Sequence, residues 1–175
     1  MRVETERLIL RSWRLPQDAE RLQRIYDDPE VVRTLSPMNL ARTKEQIERF
    51  RARESEDGFT AWAAELRSTG ELVGRIGIIR QPRWPLDPDA VEVGWTIARP
   101  WWGQGLATEG GRASLGFGFD TAGLDRIISF TLPYNVASRR VMEKLGLTYR
   151  GDAIWADMPH VWYGIDREAW EARIE

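Results

Sequence analysis

The chain has no cysteine and one histidine in 175 residues. Without a thiol there are no disulfides, no thiolate metal ligands and no cysteine acyl-enzyme. The histidine, His160, has no partner pattern. A His-Glu-x-x-His pair and a Gly-x-Ser-x-Gly elbow are both missing, so zinc-hydrolase and serine-triad chemistry lack their sequence marks. An excess of one charge is missing too. The formal net charge is −2, which leaves no global basic field to hold nucleic acid. No apolar run approaches the roughly 20 residues of a membrane span. Residues 1–13 alternate and carry charges throughout, unlike a secretion signal. No repeat, low-complexity tract or linker divides the chain. One domain over residues 1–175, in the cytoplasm, is therefore expected. Its composition, 42% apolar and 30% charged, is ordinary for a globular protein. Nine tryptophans stand out, either as core anchors or as walls of a cleft.

Periodicity predicts an alternation of strands and helices. Leu8–Arg14 reads as a first strand. Pro16 opens a helix with Ala19, Leu22, Ile25 and Tyr26 at helical spacing, and Asp27-Asp28-Pro29 ends it. Thr43 with Gln46 resembles a capping box for a second helix striped by Ile47 and Phe50. Thr60–Arg67 and Leu72–Arg80 flank the hairpin signal Ser68-Thr69-Gly70-Glu71. Pro82, Pro85 and Pro88 mark an exposed loop. A strand over Val91–Ile97 runs into Gly103-Gln104-Gly105, and a helix extends to about Phe119. Arg126–Thr131, Leu147–Trp155 and Val161–Asp166 are further strands. Ala137, Val141 and Leu145 stripe a helix that Gly146 terminates, and a short helix begins at Arg167. This order predicts a mixed α/β domain of seven strands, hairpin-rich first and βαβ-like second.

The stretch Val91–Gly110 carries the chemistry. A strand feeding a glycine turn and then a helix N-terminus makes a cradle for an anion, because the first helical N–H groups lack partners and the helix dipole is positive there. The turn lacks the Lys-Ser/Thr ending of a nucleotide-triphosphate loop. It also fails the dinucleotide fingerprint, since Thr108 stands where a third glycine belongs. Alone, the Gly-x-Gly is as readily a structural turn as a binding one.

Its context is more specific. Trp102-Gly103-Gln104-Gly105-Leu106-Ala107-Thr108-Glu109 resembles the acetyl-CoA pyrophosphate loop of the GNAT superfamily of N-acyltransferases, Gln/Arg-x-x-Gly-x-Gly/Ala. Trp102 replaces the first Gln or Arg, as in the RimJ/RimL-like branch. Residues 5–11, residues 27–31 and the segment from Asn135 to Leu147 resemble the same branch in order and spacing. The resemblance implies a central, mostly antiparallel seven-stranded sheet flanked by helices and splayed between its fourth and fifth strands. It implies acetyl-CoA as co-substrate, no metal, an amine acceptor (a small molecule or a protein N-terminus), and compatibility with a homodimer. The backbone from Trp102 through Thr108 would hold the pyrophosphate, and Trp95 and Ile97 would pair with the pantetheine arm.

An amine must lose a proton to attack a thioester, and free amines have pKa values of roughly 8 to 10.4. Glu92 occupies the position of the suspected base, which often acts through water. The alternative is a solvated or salt-bridged strand residue, and a bulge would send its side chain either way. Ser138 is a candidate acid for the leaving thiolate, and Tyr134 another. Asn135 is a candidate contact to the pantetheine. Asn135 and Ser138 also read as the cap and first turn of a helix, which is compatible with both roles. Tyr134 reads equally as a strand-end aromatic. His160 reads as a structural or solvent-facing loop residue near an acceptor site. The Pro82–Pro88 loop, Trp84 and residues 155–160 would shape that site. With no nucleophile for a covalent intermediate, direct attack in a ternary complex is the simplest chemistry. The alternative is an acyl-CoA-binding or sensing module without efficient catalysis.

Overall fold

A computed structural model describes residues 2–173. Met1, Ile174 and Glu175, included in the single-domain expectation, lie outside the described residues. Eight strands form one sheet: β1 (Arg2–Glu4), β2 (Leu8–Arg11), β3 (Ala61–Leu66), β4 (Leu72–Arg80), β5 (Val91–Ile97), β6 (Arg126–Thr131), β7 (Thr148–Trp155) and β8 (Met158–Asp166). Their order is β1-β2-β3-β4-β5-β6-β8-β7. Every neighbouring pair is antiparallel except β5–β6. That parallel pair keeps a single register partner, Glu92 with Ile128. Beyond it the two strands part, which is the expected splay. The β4–β5 register runs unbroken from Gly74–Ile97 to Arg80–Val91, so no bulge redirects Glu92.

The helices are α1 (Gln17–Tyr26), α2 (Pro29–Val32), α3 (Leu40–Asp57), α4 (Leu106–Gly116), α5 (Val136–Leu145) and α6 (Arg167–Glu171). α4 and α5 cover one face of the sheet. Their apolar stripes meet Leu8, Ile76, Ile78, Val93 and Ile127 in the larger core cluster. α1 and α3 cover the other face, where Leu22, Ile25, Ile47 and Phe50 pack against Ala61 and Ala63. The glycines of α4 follow from this packing. A Cβ on Gly110 would lie 2.5 Å from Ile76 Cδ1, and one on Gly111 2.8 Å from Leu145 Cδ1. Bare backbone lets α4 sit close to both the sheet and α5.

Several local expectations change. β1 is an added eighth strand, too short and charged to show a pattern. β2 ends at Arg11, not Arg14. The start of α3 is capped by Asn39, whose Oδ1 accepts from Arg42 N–H. Thr43 lies inside that helix, fully buried, and its hydroxyl donates to Gln23 Oε1 at 2.6 Å. A polar group on the core side found a partner on α1, so the capping-box spacing was coincidental. α1 ends at Tyr26 with Asp27 as its C-cap, as expected; Asp28 in addition accepts from Glu30 N–H through its side chain and caps α2. α4 stops at Gly116 and continues as a π-helical turn over Phe117–Thr121. Residues 155–160 are not a loop but the tip of the β7–β8 hairpin, turned at Ala156 and Asp157 with positive φ.

Candidate active site

The splay opens a cleft of about 390 Å³. Trp95, Thr96 and Ile97 form the β5 side, and Asn135 and Ser138 at the start of α5 form the opposite side. Trp102, Gly103, Gly105, Leu106, Ala107 and Thr108 close one end. The fold thus gathers into one hollow residues separated by more than forty positions in the chain.

Between β5 and α4 the chain makes a 3-10 turn over Arg99–Trp101 and then the glycine turn. Gly103 and Gly105 have φ of +73° and +83°, values that disfavour any side chain. The first bond within α4 runs from Glu109 N–H to the Gly105 carbonyl at 2.9 Å. The N–H groups of Leu106, Ala107 and Thr108 are left for an outside acceptor. A strut holds this end of the helix. The Glu109 carboxylate accepts from Thr5 Oγ1 at 2.6 Å, Arg7 N–H at 2.7 Å and Arg7 Nε at 2.7 Å. Arg7 Nη1 also donates to the Gln104 carbonyl at 2.9 Å. Burial pushes the Glu109 carboxyl up, but these donors outweigh it and hold the group below the usual carboxylate range. Gln104 itself does not line the cleft; its Nε2 donates to Pro100 O.

The Trp102 indole N–H donates to the Ile97 carbonyl at 2.7 Å. That carbonyl faces away from β4, whose Val73 carbonyl instead takes the next N–H, from Ala98, at 2.8 Å. Strand alternation puts the backbone groups of Trp95 on the same free edge. Two backbone positions therefore face the cleft, and one carbonyl already has a partner. The Thr96 hydroxyl is buried and lacks a hydrogen-bond partner among the described residues.

Asn135 caps α5: its Oδ1 accepts from Ser138 N–H at 3.3 Å, and its Nδ2 donates to Thr131 Oγ1 at 2.9 Å. Both ends of its side chain are thereby engaged. Ser138 lines the cleft; Tyr134 does not and is 58% exposed. His160 is not a loop residue but a buried one on β8. Its Nδ1 lies 3.0 Å from Met158 O, with edges toward Phe130 and Trp155. Trp84 is buried as well, stacked on Phe130 at 4.4 Å.

Glu92 lies beyond the cleft lining, where the splay begins. Its face of β5 also carries Gly94 and Thr96 and looks toward α1 and α3. A Cβ at Gly94 would come 3.3 Å from Glu92 Oε1, so the missing side chain leaves room beside the carboxyl. Gln81 Nε2 donates to Glu92 Oε2. Burial pushes the carboxyl up from an ordinary 4.5 to about 7, against the Gln81 hydrogen bond and the charge of Arg75. A carboxyl poised there exchanges a proton readily near neutral pH.

Sequence reasoning missed Gln81, α2 and the cations of α5. Arg140 and Lys144 stand on the cleft face of α5 at i, i+4, a spacing that was legible beside the Ala137–Val141 stripe. α2 contributes Glu30 and Val31 to the wall and its C-cap residue Arg33 a third side chain, and no local pattern announces that.

The Acetyltransferase (GNAT) domain model matches residues 7–148, a span that contains every element of the cleft. The chain belongs to the GNAT acetyltransferase family. Members move an acetyl group from acetyl-CoA to an amine. The Bacillus subtilis protein YkkB is 33% identical over 146 residues, covering 83% of this chain and 84% of its own. An acetyltransferase from Agrobacterium tumefaciens superposes with a TM-score of 0.83 at 28% identity, covering 94% of each chain. The aminoglycoside acetyltransferase AAC(6')-Ib, solved in complex with coenzyme A, shares the fold at 22% identity and a TM-score of 0.79, over 96% of this chain and 98% of its own. Among the described residues no helix is long and apolar enough to cross a membrane, and no cluster of three or more His, Asp or Glu side chains is arranged for a metal ion.

Proposed function

We propose that this acetyltransferase acts on a primary amine by direct attack within a ternary complex, as a RimJ/RimL-like enzyme with Glu92 as base. The observation that carries the reading is the position of Glu92. A carboxyl poised near neutrality sits where β5 and β6 part, on the strand that leads into the cleft. The amine nitrogen bonds to the thioester carbonyl carbon, its proton passes to Glu92 directly or through water, and the carbon–sulfur bond breaks. Ser138, on the cleft wall, is the better placed donor to the leaving thiolate. Tyr134 would have to turn inward from solvent to serve.

The cleft suits the co-substrate. The open N–H groups of Leu106, Ala107 and Thr108 match a pyrophosphate in charge and geometry. The free edge at Trp95 matches the amide groups of a pantetheine arm. Arg140 and Lys144 supply positive charge for the phosphates. A second hollow of about 700 Å³, sharing Gly105, Thr108 and Lys144 with the cleft and adding Arg112, has room for the rest of the nucleotide.

The test is calorimetry with acetyl-CoA, followed by thiol release with a panel of amines. The panel holds peptides with free alanine and serine N-termini, lysine, a linear diamine and kanamycin. Acetyl-CoA binding with turnover of one amine, abolished in Glu92→Gln with binding intact, supports the reading. Binding with no turnover across the panel favours a sensing module instead.

A further inference from the structure

Gln81 follows the last residue of β4, outside the cleft and outside every sequence motif. Its backbone is held at both ends. Its N–H donates to the Ala90 carbonyl at 2.8 Å, extending the β4–β5 ladder, and its carbonyl accepts from Trp84 N–H at 2.8 Å. Trp84 is wedged against Phe130 of β6 and Trp162 of β8. Ile128, the register partner of Glu92, belongs to the same cluster. The loop over residues 82–89 is thus fastened across the splay, and its fixed end presents the Gln81 amide to Glu92.

We infer that Gln81 is a positioning residue for the Glu92 carboxyl, held by the Trp84 loop so that the carboxyl keeps one geometry in both protonation states. The inference rests on Glu92 being the base. A primary amide carries two donors and an acceptor. It donates an N–H to the carboxylate. Once Glu92 has taken the amine proton, the amide turned by half a revolution accepts the carboxyl O–H. Leucine does neither, and glutamate adds a second negative charge. The other groups around Glu92 cannot substitute. Arg75, on the same face of β4, acts on it as a charge and donates to the Tyr26 hydroxyl at 3.1 Å. Arg80 is paired with Asp57 at 2.8 Å. Gly77 and Gly94 have no side chain, and Ile79, Ile128 and Phe130 are apolar.

The test is a carbon-13 NMR titration of protein labelled at the glutamate carboxyls, with the Glu92 signal assigned by its loss in Glu92→Gln. Wild type is expected to titrate at about 7. Gln81→Leu loses a charge-assisted bond to the carboxylate and a weaker neutral one to the acid, and that difference raises the value by about one unit; Gln81→Glu raises it further by like-charge repulsion. The acid limb of kcat/KM, measured with the amine that the panel identifies, follows. At pH 6 the Gln81→Leu rate falls about tenfold, and at pH 9 it stays within about twofold of wild type. The affinity for acetyl-CoA does not change. An unmoved Glu92 signal in both variants overturns the inference, as does a rate loss equal at every pH. A Glu92 signal that moves while the rate limb stays put refutes Glu92 as the base, and so separates the two failures.

Discussion

Replacing Glu92 with glutamine is expected to stabilise the protein while it abolishes turnover. The carboxyl has a folded pKa of about 7 against an ordinary 4.5, chiefly because burial disfavours its charged form. Between those values the folded protein holds a proton that the unfolded chain has released. Stability therefore falls as pH rises through that window, the reverse of a salt-bridged carboxylate. At 1.36 kcal/mol per unit, the full penalty above pH 7 is about 3 kcal/mol. Glu92→Gln keeps the shape and can still bond to Gln81, but has no charge to desolvate. The variant is expected to exceed wild type by about 3 kcal/mol at pH 8, or roughly 8 °C in Tm for a chain of this size. Near pH 4.5 the two proteins converge. Urea unfolding from pH 4.5 to 8, followed by circular dichroism, measures the difference. A gap between the two proteins that stays flat across this range refutes the buried-carboxyl argument.

The glycines of α4 make a paired test. Gly116→Ala meets only ordinary contacts, the nearest being Trp170 Cζ2 at 3.6 Å, so thermal unfolding is expected to show a gain of up to about 1 kcal/mol from helix propensity. Gly110→Ala must displace Ile76 and Leu8 in a filled core, and is expected to lose about 1 kcal/mol net as overpacking outweighs the same propensity gain. Gly105→Ala strains a backbone at φ +83° by about 1 to 2 kcal/mol, and calorimetry is expected to show weaker acetyl-CoA binding in a protein that still folds. Arg140→Ala with Lys144→Ala is expected to weaken acetyl-CoA binding most at low salt, because these cations stand at the open edge of the cleft; a double variant that binds as tightly as wild type at 50 mM salt would remove them from the phosphate site.

Signals in this chain are legible in the sequence where their cause is local. Gly146 ends α5 in a left-handed turn at φ +89°, as a helix followed by Gly-Leu predicts. Asn135 caps α5 through its own side chain. The hairpin at Gly70 declared itself by its turn residues, between two strands buried along most of their length. Errors fell where a distant partner decided the outcome. Thr43 passed for a cap because a buried hydroxyl on α1's side of the core has no sequence mark. His160 reads as a loop residue and Pro82–Pro88 as an exposed loop, because the cluster that buries His160 and the loop's Trp84 draws on β6, β7 and β8 at once.

The same division runs through the site. Residues 102–108 specify their turn from sequence alone. Two glycines that take left-handed conformations and a helix start leave N–H groups unpaired there, and the distant Thr5 and Arg7 hold that end in place through Glu109. The family follows from that motif and its companions by order and spacing. The tertiary structure decided the rest. Parting β5 from β6 opened the cleft and brought α5's cap opposite the glycine turn. Burial at the start of the splay moved Glu92 from an ordinary carboxyl to one that titrates near neutrality. A pKa is set by solvent exclusion and by charges arriving from other strands, and neither is a property of the residues on either side of Glu92 in the chain.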